Sequence, residues 1–348
     1  LCNHCTAATP RSPLMVFRTL DLDVSQVQVF FYDFTNNVNL TYPIYEASHR
    51  ISEMYSLDIT KRLIVFVPGY KSHINKKTED KVRATFQELP NSYLIIMDHS
   101  PYTSARGGKV KSYERSVQYV YYIGKAVADF LSKLKAKGFP SKKMHLLGHS
   151  LGSQMLGHTG EIYQELTGEK VWRITGLDPA GPCFSNSLIN EQLRSGAAEY
   201  VEVYHCNSGG LGTTSVLADS DFFYNKGTSQ PDCGKVPLFG SHDAAKCNHK
   251  ACLEFWLATV KNPMWYLAWR CDSYKKFSEG RCAGNEVTIG VICNSVGASI
   301  LFNNQLPATF NLIPKRDYVT LSPVLLRIGT NPEQISARLF FFINKYCI

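Results

Sequence analysis

Short apolar runs alternate with longer amphipathic stretches through the first two-thirds of the chain. Arg62–Val67 and residues 93–97 are continuous apolar runs, the pattern of strands buried on both faces of a parallel sheet. Residues 26–34 alternate in the manner of a half-exposed strand, and residues 77–89 read as a helix between the two apolar runs. One long helix is expected over residues 112–137, where Val117, Val120, Tyr121, Gly124, Val127, Ala128, Leu131 and Leu134 form a stripe at helical spacing. Gly138-Phe139-Pro140 ends it with a glycine cap and a proline stop. Further strands are predicted at residues 144–147, at 171–177 and at Tyr200–His205, with a helix over 154–166 behind the first of them. This order predicts an α/β fold, an open and mostly parallel sheet flanked by helices. Past Cys206 the pattern turns irregular and cysteine-rich, and residues 287–348 read as strand-rich without an assigned place.

Bulk properties narrow the class. With 348 residues, 44% hydrophobic and 19% charged, the chain has ordinary globular composition and enough length for one large domain or two. No apolar run approaches the roughly 18 residues of a membrane span, and Leu339-Phe340-Phe341-Phe342-Ile343 is at most a buried strand. The net charge of +8 favours an anionic interface, but the basic residues are scattered apart from Lys135, Lys137, Lys142 and Lys143. No recognition motif accompanies the charge, so nucleic acid is not an expected partner. Eleven cysteines are too many for a typical cytosolic chain and too dispersed for a zinc module, because Cys2-x-x-Cys5 has no second pair at ribbon spacing. The expectation is a disulfide-bonded, secreted, extracellular protein. Leu1 at the start, without methionine, fits a product of signal-peptide removal, and Asn39-Leu40-Thr41 is a glycosylation sequon.

Gly148-His149-Ser150-Leu151-Gly152 fits the G-x-S-x-G nucleophile elbow, with the expected strand before it and helix after it. Such a turn thrusts a serine hydroxyl above the sheet, and the flanking glycines let strand and helix approach closely. A nucleophilic serine needs a base, an acid that orients the base, and donors for the oxyanion. On this fold class the order is serine, acid, histidine. Asp178 ends the apolar strand before Pro179 and suits the acid; a plain turn residue is the alternative reading. The base must then come from His205, His242 or His249. His205 lies inside a strand, a usual place for a core histidine. His242 and His249 both read as loop residues, and residue chemistry alone does not separate them. His149 adjoins the serine and cannot serve as its base.

Three ordered segments resemble the pancreatic lipase family, including its insect and venom phospholipase A1 members: Gly148-His-Ser-Leu-Gly152, Gly176-Leu-Asp-Pro-Ala-Gly-Pro-Cys-Phe184 and Cys247-Asn-His249. Tyr200-Val-Glu-Val-Tyr-His205, Asp221-Phe-Phe223 and Gln230-Pro-Asp-Cys233 extend the likeness, which runs from about Phe30 to Pro307. The resemblance implies an α/β-hydrolase fold with Ser150 as nucleophile, Asp178 as orienting acid and His249 as base. It implies an oxyanion hole made by the backbone N–H groups of Tyr70 and Leu151. It also implies that Cys233 and Cys247 clasp a lid over the serine and that Cys271 pairs with Cys282. Partners for Cys2, Cys5, Cys183, Cys206, Cys252, Cys293 and Cys347 stay open.

Three departures from the family pattern matter. Val67-Pro68-Gly69-Tyr70 stands where the family usually has His-Gly-aromatic; proline lacks an N–H, but the donor wanted belongs to Tyr70. Ile189, Gln192, Arg194 and Ala197 occupy the positions of the vertebrate calcium-binding acids, so no metal is expected. Only 99 of the 348 residues follow His249, too few for the C-terminal lipid- and colipase-binding β-sandwich in addition to the end of the catalytic domain. The expected organisation is a lipase domain over residues 1–307 and an extension over 308–348 packed on it, without colipase. The function implied is hydrolysis of lipid esters without a cofactor, at a membrane or lipid interface. The 13-residue lid between Cys233 and Cys247 is short, which favours phospholipid cleaved at the sn-1 ester. The alternatives are a triglyceride or broad-specificity lipase and a non-catalytic carrier or storage protein of lipase fold, as some insect yolk proteins are. An intact Ser150, Asp178 and His249 set argues against the last.

Overall fold

The computed structural model describes residues 22–54, 57–89, 91–104, 109–184, 190–233, 242–261, 266–271, 289–291 and 308–314. Its strands are β1 (Gln28–Asp33), β2 (Val38–Pro43), β3 (Arg62–Val67), β4 (Ser92–Asp98), β5 (Met144–His149), β6 (Arg173–Leu177), β7 (Tyr200–His205), β8 (Ser220–Tyr224), β9 (Tyr266–Cys271), β10 (Ile289–Val291) and β11 (Ala308–Pro314). The helices are α1 (Ile44–Met54), α2 (Lys77–Gln87), α3 (Ser100–Thr103), α4 (Lys109–Gln118), α5 (Val120–Ala136), α6 (Leu151–Thr167) and α7 (His242–Lys261).

All the strands join one sheet in the order β10-β9-β11-β8-β7-β6-β5-β3-β4-β1-β2. The stretch from β4 through β3, β5, β6, β7 and β8 to β11 is parallel throughout. Antiparallel pairs close both margins, β1 with β2 and β4 on one side and β9 with β10 and β11 on the other. Parallel neighbours require crossovers, and the helices that supply them cover both faces. Leu63, Val65 and Val67 of β3 point into one core with α1, α5 and α6, while Ile64 and Phe66 point into a second with α2 and α7. β3 and β4 are nearly continuous apolar runs because both of their faces are buried. This is the expected α/β-hydrolase architecture.

Four local differences from the expected elements have physical reasons. The long helix over 112–137 is two helices, α4 and α5, divided at Tyr119, whose ring packs against Tyr102 with centroids 4.8 Å apart. The strand β2 and the helix α1, which carried no sequence expectation, form the outer margin next to β1. The irregular, cysteine-rich stretch contains the strand β8 and the 20-residue helix α7. His242 and His249, read as loop residues, both belong to α7, whose buried face uses Ala251 and Cys252 as well as Leu253, Trp256 and Leu257.

Candidate active site

Ser150 sits at the C-terminal end of β5, in the middle of the sheet, and precedes α6 with φ 57° and ψ −120°. A non-glycine residue rarely occupies that region, and the surroundings over-determine it. A Cβ on Gly148 would lie 2.6 Å from the Ser153 backbone, and one on Gly152 would overlap the Val67 carbonyl. Both glycines are therefore obligatory for the elbow. The Ser150 N–H donates to the Leu177 carbonyl at 3.1 Å, and the Ser150 carbonyl accepts from Ala180 N–H at 3.1 Å. Ser150 and Asp178 thus share one backbone frame, since Leu177 and Ala180 bracket Asp178.

Asp178, fully buried, also has positive φ, at 44°. Its N–H donates to the Tyr204 carbonyl at 2.7 Å. Its Oδ1 accepts the backbone N–H groups of Cys206 at 2.8 Å and Asn207 at 3.1 Å, and its Oδ2 meets His249 Nδ1 at 2.6 Å. With Nδ1–H committed to the carboxylate, His249 keeps Nε2 as the proton acceptor. His149 completes the seat of this ring. Its Nε2–H donates to the His249 carbonyl at 3.1 Å, and the two rings lie 4.7 Å apart. Burial lowers the His149 pKa to about 3, so it stays neutral as a spacer between β5 and α7.

The Gly69–Tyr70 segment reaches the same place. A Cβ on Gly69 would lie 2.9 Å from Ser150 Cβ and 3.2 Å from the His149 carbonyl, so the backbone leading to Tyr70 passes against the elbow. Leu151 supplies the first residue of α6, whose N-terminal amides and dipole favour negative charge.

Sequence reasoning brought Ser150, Asp178, His249, Tyr70 and Leu151 forward, and these residues cluster. His205 is a fully buried partner of Asp221, 2.8 Å away, at a distance in sequence and role from the elbow. Cys233 is bonded to Cys247 with Cα atoms 5.4 Å apart, while most of the lid and Cys282 lie outside the described residues. Cys206 and Cys252, which had no assigned partner, are bonded to each other with Cα atoms 5.6 Å apart. This bond ties the strand end that solvates Asp178 to the helix that bears His249. Gln192 accepts from Thr213 at 3.2 Å and Arg194 pairs with Glu161; Ile189 lies outside the described residues. Sequence reasoning missed the Cys206 and Asn207 amides and Gly212, where a Cβ would lie 2.6 Å from Asp178 Cγ. Backbone donors leave no residue signature; Gly209-Gly210 followed by Gly212 was the one hint.

A family model described as Lipase matches residues 5–308. Lipase member H of Rattus norvegicus is 29% identical over 244 residues, 70% of this chain and 52% of that protein. Pancreatic triacylglycerol lipase of Myocastor coypus is 31% identical over 194 residues, 51% of this chain and 42% of that one. Phospholipase A1 member A of Bos taurus is 31% identical over 175 residues, 50% and 37% respectively. The chain spans about half the length of lipase member H and less of the other two.

Proposed function

The chain belongs to the lipase family, whose model spans residues 5–308, and on that premise we propose that it hydrolyses carboxylic esters of lipids through an acyl-enzyme on Ser150. The observation that carries the reading is the 2.6 Å bond from His249 Nδ1 to a carboxylate already holding two backbone N–H groups, beside a strained serine elbow. In this mechanism His249 Nε2 takes the Ser150 proton as Oγ attacks the ester carbonyl. The Tyr70 and Leu151 amides stabilise the oxyanion, and His249 returns the proton to the leaving alcohol. Water then repeats the sequence and frees the fatty acid. Asp178 stays ionised and stabilises the imidazolium formed at each step. The reading includes no metal cofactor and no colipase partner.

Within the family the preferred substrate is phospholipid, cleaved at the sn-1 ester. The support is the 13-residue lid segment between Cys233 and Cys247, in which Val236, Leu238 and Phe239 are the only bulky apolar residues. That is little apolar surface with which to open onto an oil droplet. The site of action is extracellular, a reading supported by disulfides such as Cys206–Cys252 and Cys233–Cys247, which persist in oxidising compartments.

A fluorophosphonate probe should label wild-type protein at Ser150. Ser150→Ala and His249→Ala should each lower turnover by on the order of a millionfold, whereas His242→Ala should leave most of it. An inactive His242→Ala beside an active His249→Ala would refute the base assignment. Rates on phosphatidylcholine and triolein, with positional analysis of the lysophospholipid, decide the substrate. Faster release from triolein, or a lysophospholipid that keeps its sn-1 chain, leaves a general lipase.

A further inference from the structure

The segment that must present the Tyr70 N–H is held by two backbone hydrogen bonds and one side chain that the reaction does not use. Lys71 has φ 64°, a left-handed backbone that a lysine does not adopt without constraint. Three hydrogen bonds supply the constraint. Ser72 N–H closes the turn on the Gly69 carbonyl at 3.2 Å, and Lys71 N–H donates to the Thr103 carbonyl at 3.0 Å. The third comes from His99, fully buried at the end of β4, whose Nε2 lies 2.9 Å from the Pro68 carbonyl. That carbonyl can only accept, so the ring proton sits on Nε2. Nδ1 is then an acceptor, and the Thr103 hydroxyl lies 2.8 Å from it. Burial pushes the His99 pKa down, which keeps the ring neutral, while the two hydrogen bonds fix the tautomer.

Pro68 makes the arrangement necessary. It has no N–H with which to anchor the loop to a neighbouring strand, so its carbonyl is its whole hydrogen-bonding capacity. The other side of that carbonyl faces α6, where even a Cβ on Gly152 would overlap the 67–68 backbone. The loop is therefore gripped between the elbow helix and the His99 ring. The Pro68 carbonyl thus has for its partner a buried histidine 31 residues further along the chain.

We propose that His99, held by Thr103, is the positioning residue of the oxyanion loop, fixing the Pro68–Tyr70 backbone so that the Tyr70 N–H points at the developing oxyanion. The inference rests on the hydrolase reading above. It places His99 outside contact with substrate, acting through Pro68.

The test uses the full chain with p-nitrophenyl butyrate, a small soluble ester that needs no lipid interface, and four proteins: wild type, His99→Leu, His99→Gln and Thr103→Val. Glutamine places its amide nitrogen close to the position of the imidazole Nε2, so it retains the donor. His99→Leu should lose more than tenfold in kcat with KM within twofold, and fluorophosphonate labelling should slow in parallel. His99→Gln should recover kcat to within threefold of wild type. Thr103→Val, which frees the ring to turn, should fall between the two. A merely structural role predicts loss of folded protein, seen in circular dichroism and melting, with equal damage from leucine and glutamine. A kcat for His99→Leu within twofold of wild type, or a change in KM alone, overturns the proposal. If His99→Leu does not fold, an unchanged kcat in Thr103→Val or a His99→Gln enzyme below a tenth of wild type overturns it. Wild-type protein that the probe does not label at Ser150 refutes the hydrolase reading, and this inference with it.

Discussion

Asp178 is packed so tightly that its neighbours can be tested without touching it. Gly212 lies against the carboxylate, and a Cβ there would come within 2.6 Å of Cγ and 2.7 Å of Oδ2. Gly212→Ala should displace Asp178 from His249 and cut kcat by up to about 10⁴-fold, the loss seen when an orienting acid no longer fixes the histidine tautomer. Steady-state kinetics beside an unchanged circular dichroism spectrum check this, and full activity would mean that the loop yields. A second buried carboxyl makes a pH prediction. Glu79 on α2 is fully buried, accepts from Ser72 Oγ at 2.5 Å, and has its pKa raised to about 7, chiefly by burial. The folded state therefore holds a proton that the unfolded chain releases near its ordinary 4.5. Stability is fully present below that value and falls as pH rises to about 7, by on the order of 3 kcal/mol. Glu79→Gln removes the titration, so its melting temperature should exceed wild type by more at pH 8 than at pH 5. An equal difference at both pH values would sink the idea. At this scale the Ser150 elbow and the place of Asp178 at its strand end were legible, because both leave residue signatures. Residue chemistry did not choose between His242 and His249; the likeness of Cys247-Asn-His249 did, and His249 is the one that meets Asp178.

The disulfides Cys206–Cys252 and Cys233–Cys247 act on different elements and should respond differently to reduction. Cys206 and Cys252 are fully buried and join the end of β7 to α7, one turn beyond His249. Cys247 is exposed and Cys233 half-buried, so their bond is the accessible one. Mild dithiothreitol should open Cys233–Cys247 first, changing turnover on aggregated lipid more than on a soluble ester. Cys206–Cys252 should survive until the fold opens, and alkylation with mass spectrometry gives the order. Early alkylation of Cys252 would refute it. The double variant Cys206→Ser with Cys252→Ser should cost up to about 4 kcal/mol, the chain-entropy value for a separation of 46 residues. The same helix shows why part of the fold was illegible. Its buried face mixes Ala251 and Cys252 with the larger residues, and Cys247 is tied up in the lid bond, so the apolar stripe is thin over its first turns. By contrast the sequence of β3 and β4 marks their bounds almost to the residue, because a strand buried on both faces favours apolar residues on both.

Across the whole molecule, charge and chemistry are kept apart. The net charge of +8 is spread over the chain, whereas the candidate site is dry: Asp178 is 0% exposed, His249 7% and Ser150 8%. Exposed charges are screened by salt over a Debye length of about 8 Å at physiological ionic strength, while a buried hydrogen-bonded pair is screened far less. Attraction to an anionic membrane surface and the turnover step should therefore separate in one experiment. Binding to vesicles that contain phosphatidylserine should exceed binding to pure phosphatidylcholine and should fall as salt rises from about 0.05 M to about 0.5 M. Over the same range kcat on p-nitrophenyl butyrate should stay constant, because that ester reaches the site without a surface. Co-sedimentation and soluble-ester kinetics on one preparation give both curves. Equal binding to neutral and anionic vesicles would show that the charge serves solubility alone, leaving apolar contacts to hold the protein at its interface. A soluble-ester kcat that follows the vesicle curve would mean that exposed charges reach the Asp178–His249 pair, against its burial under α7 and the β7 strand end.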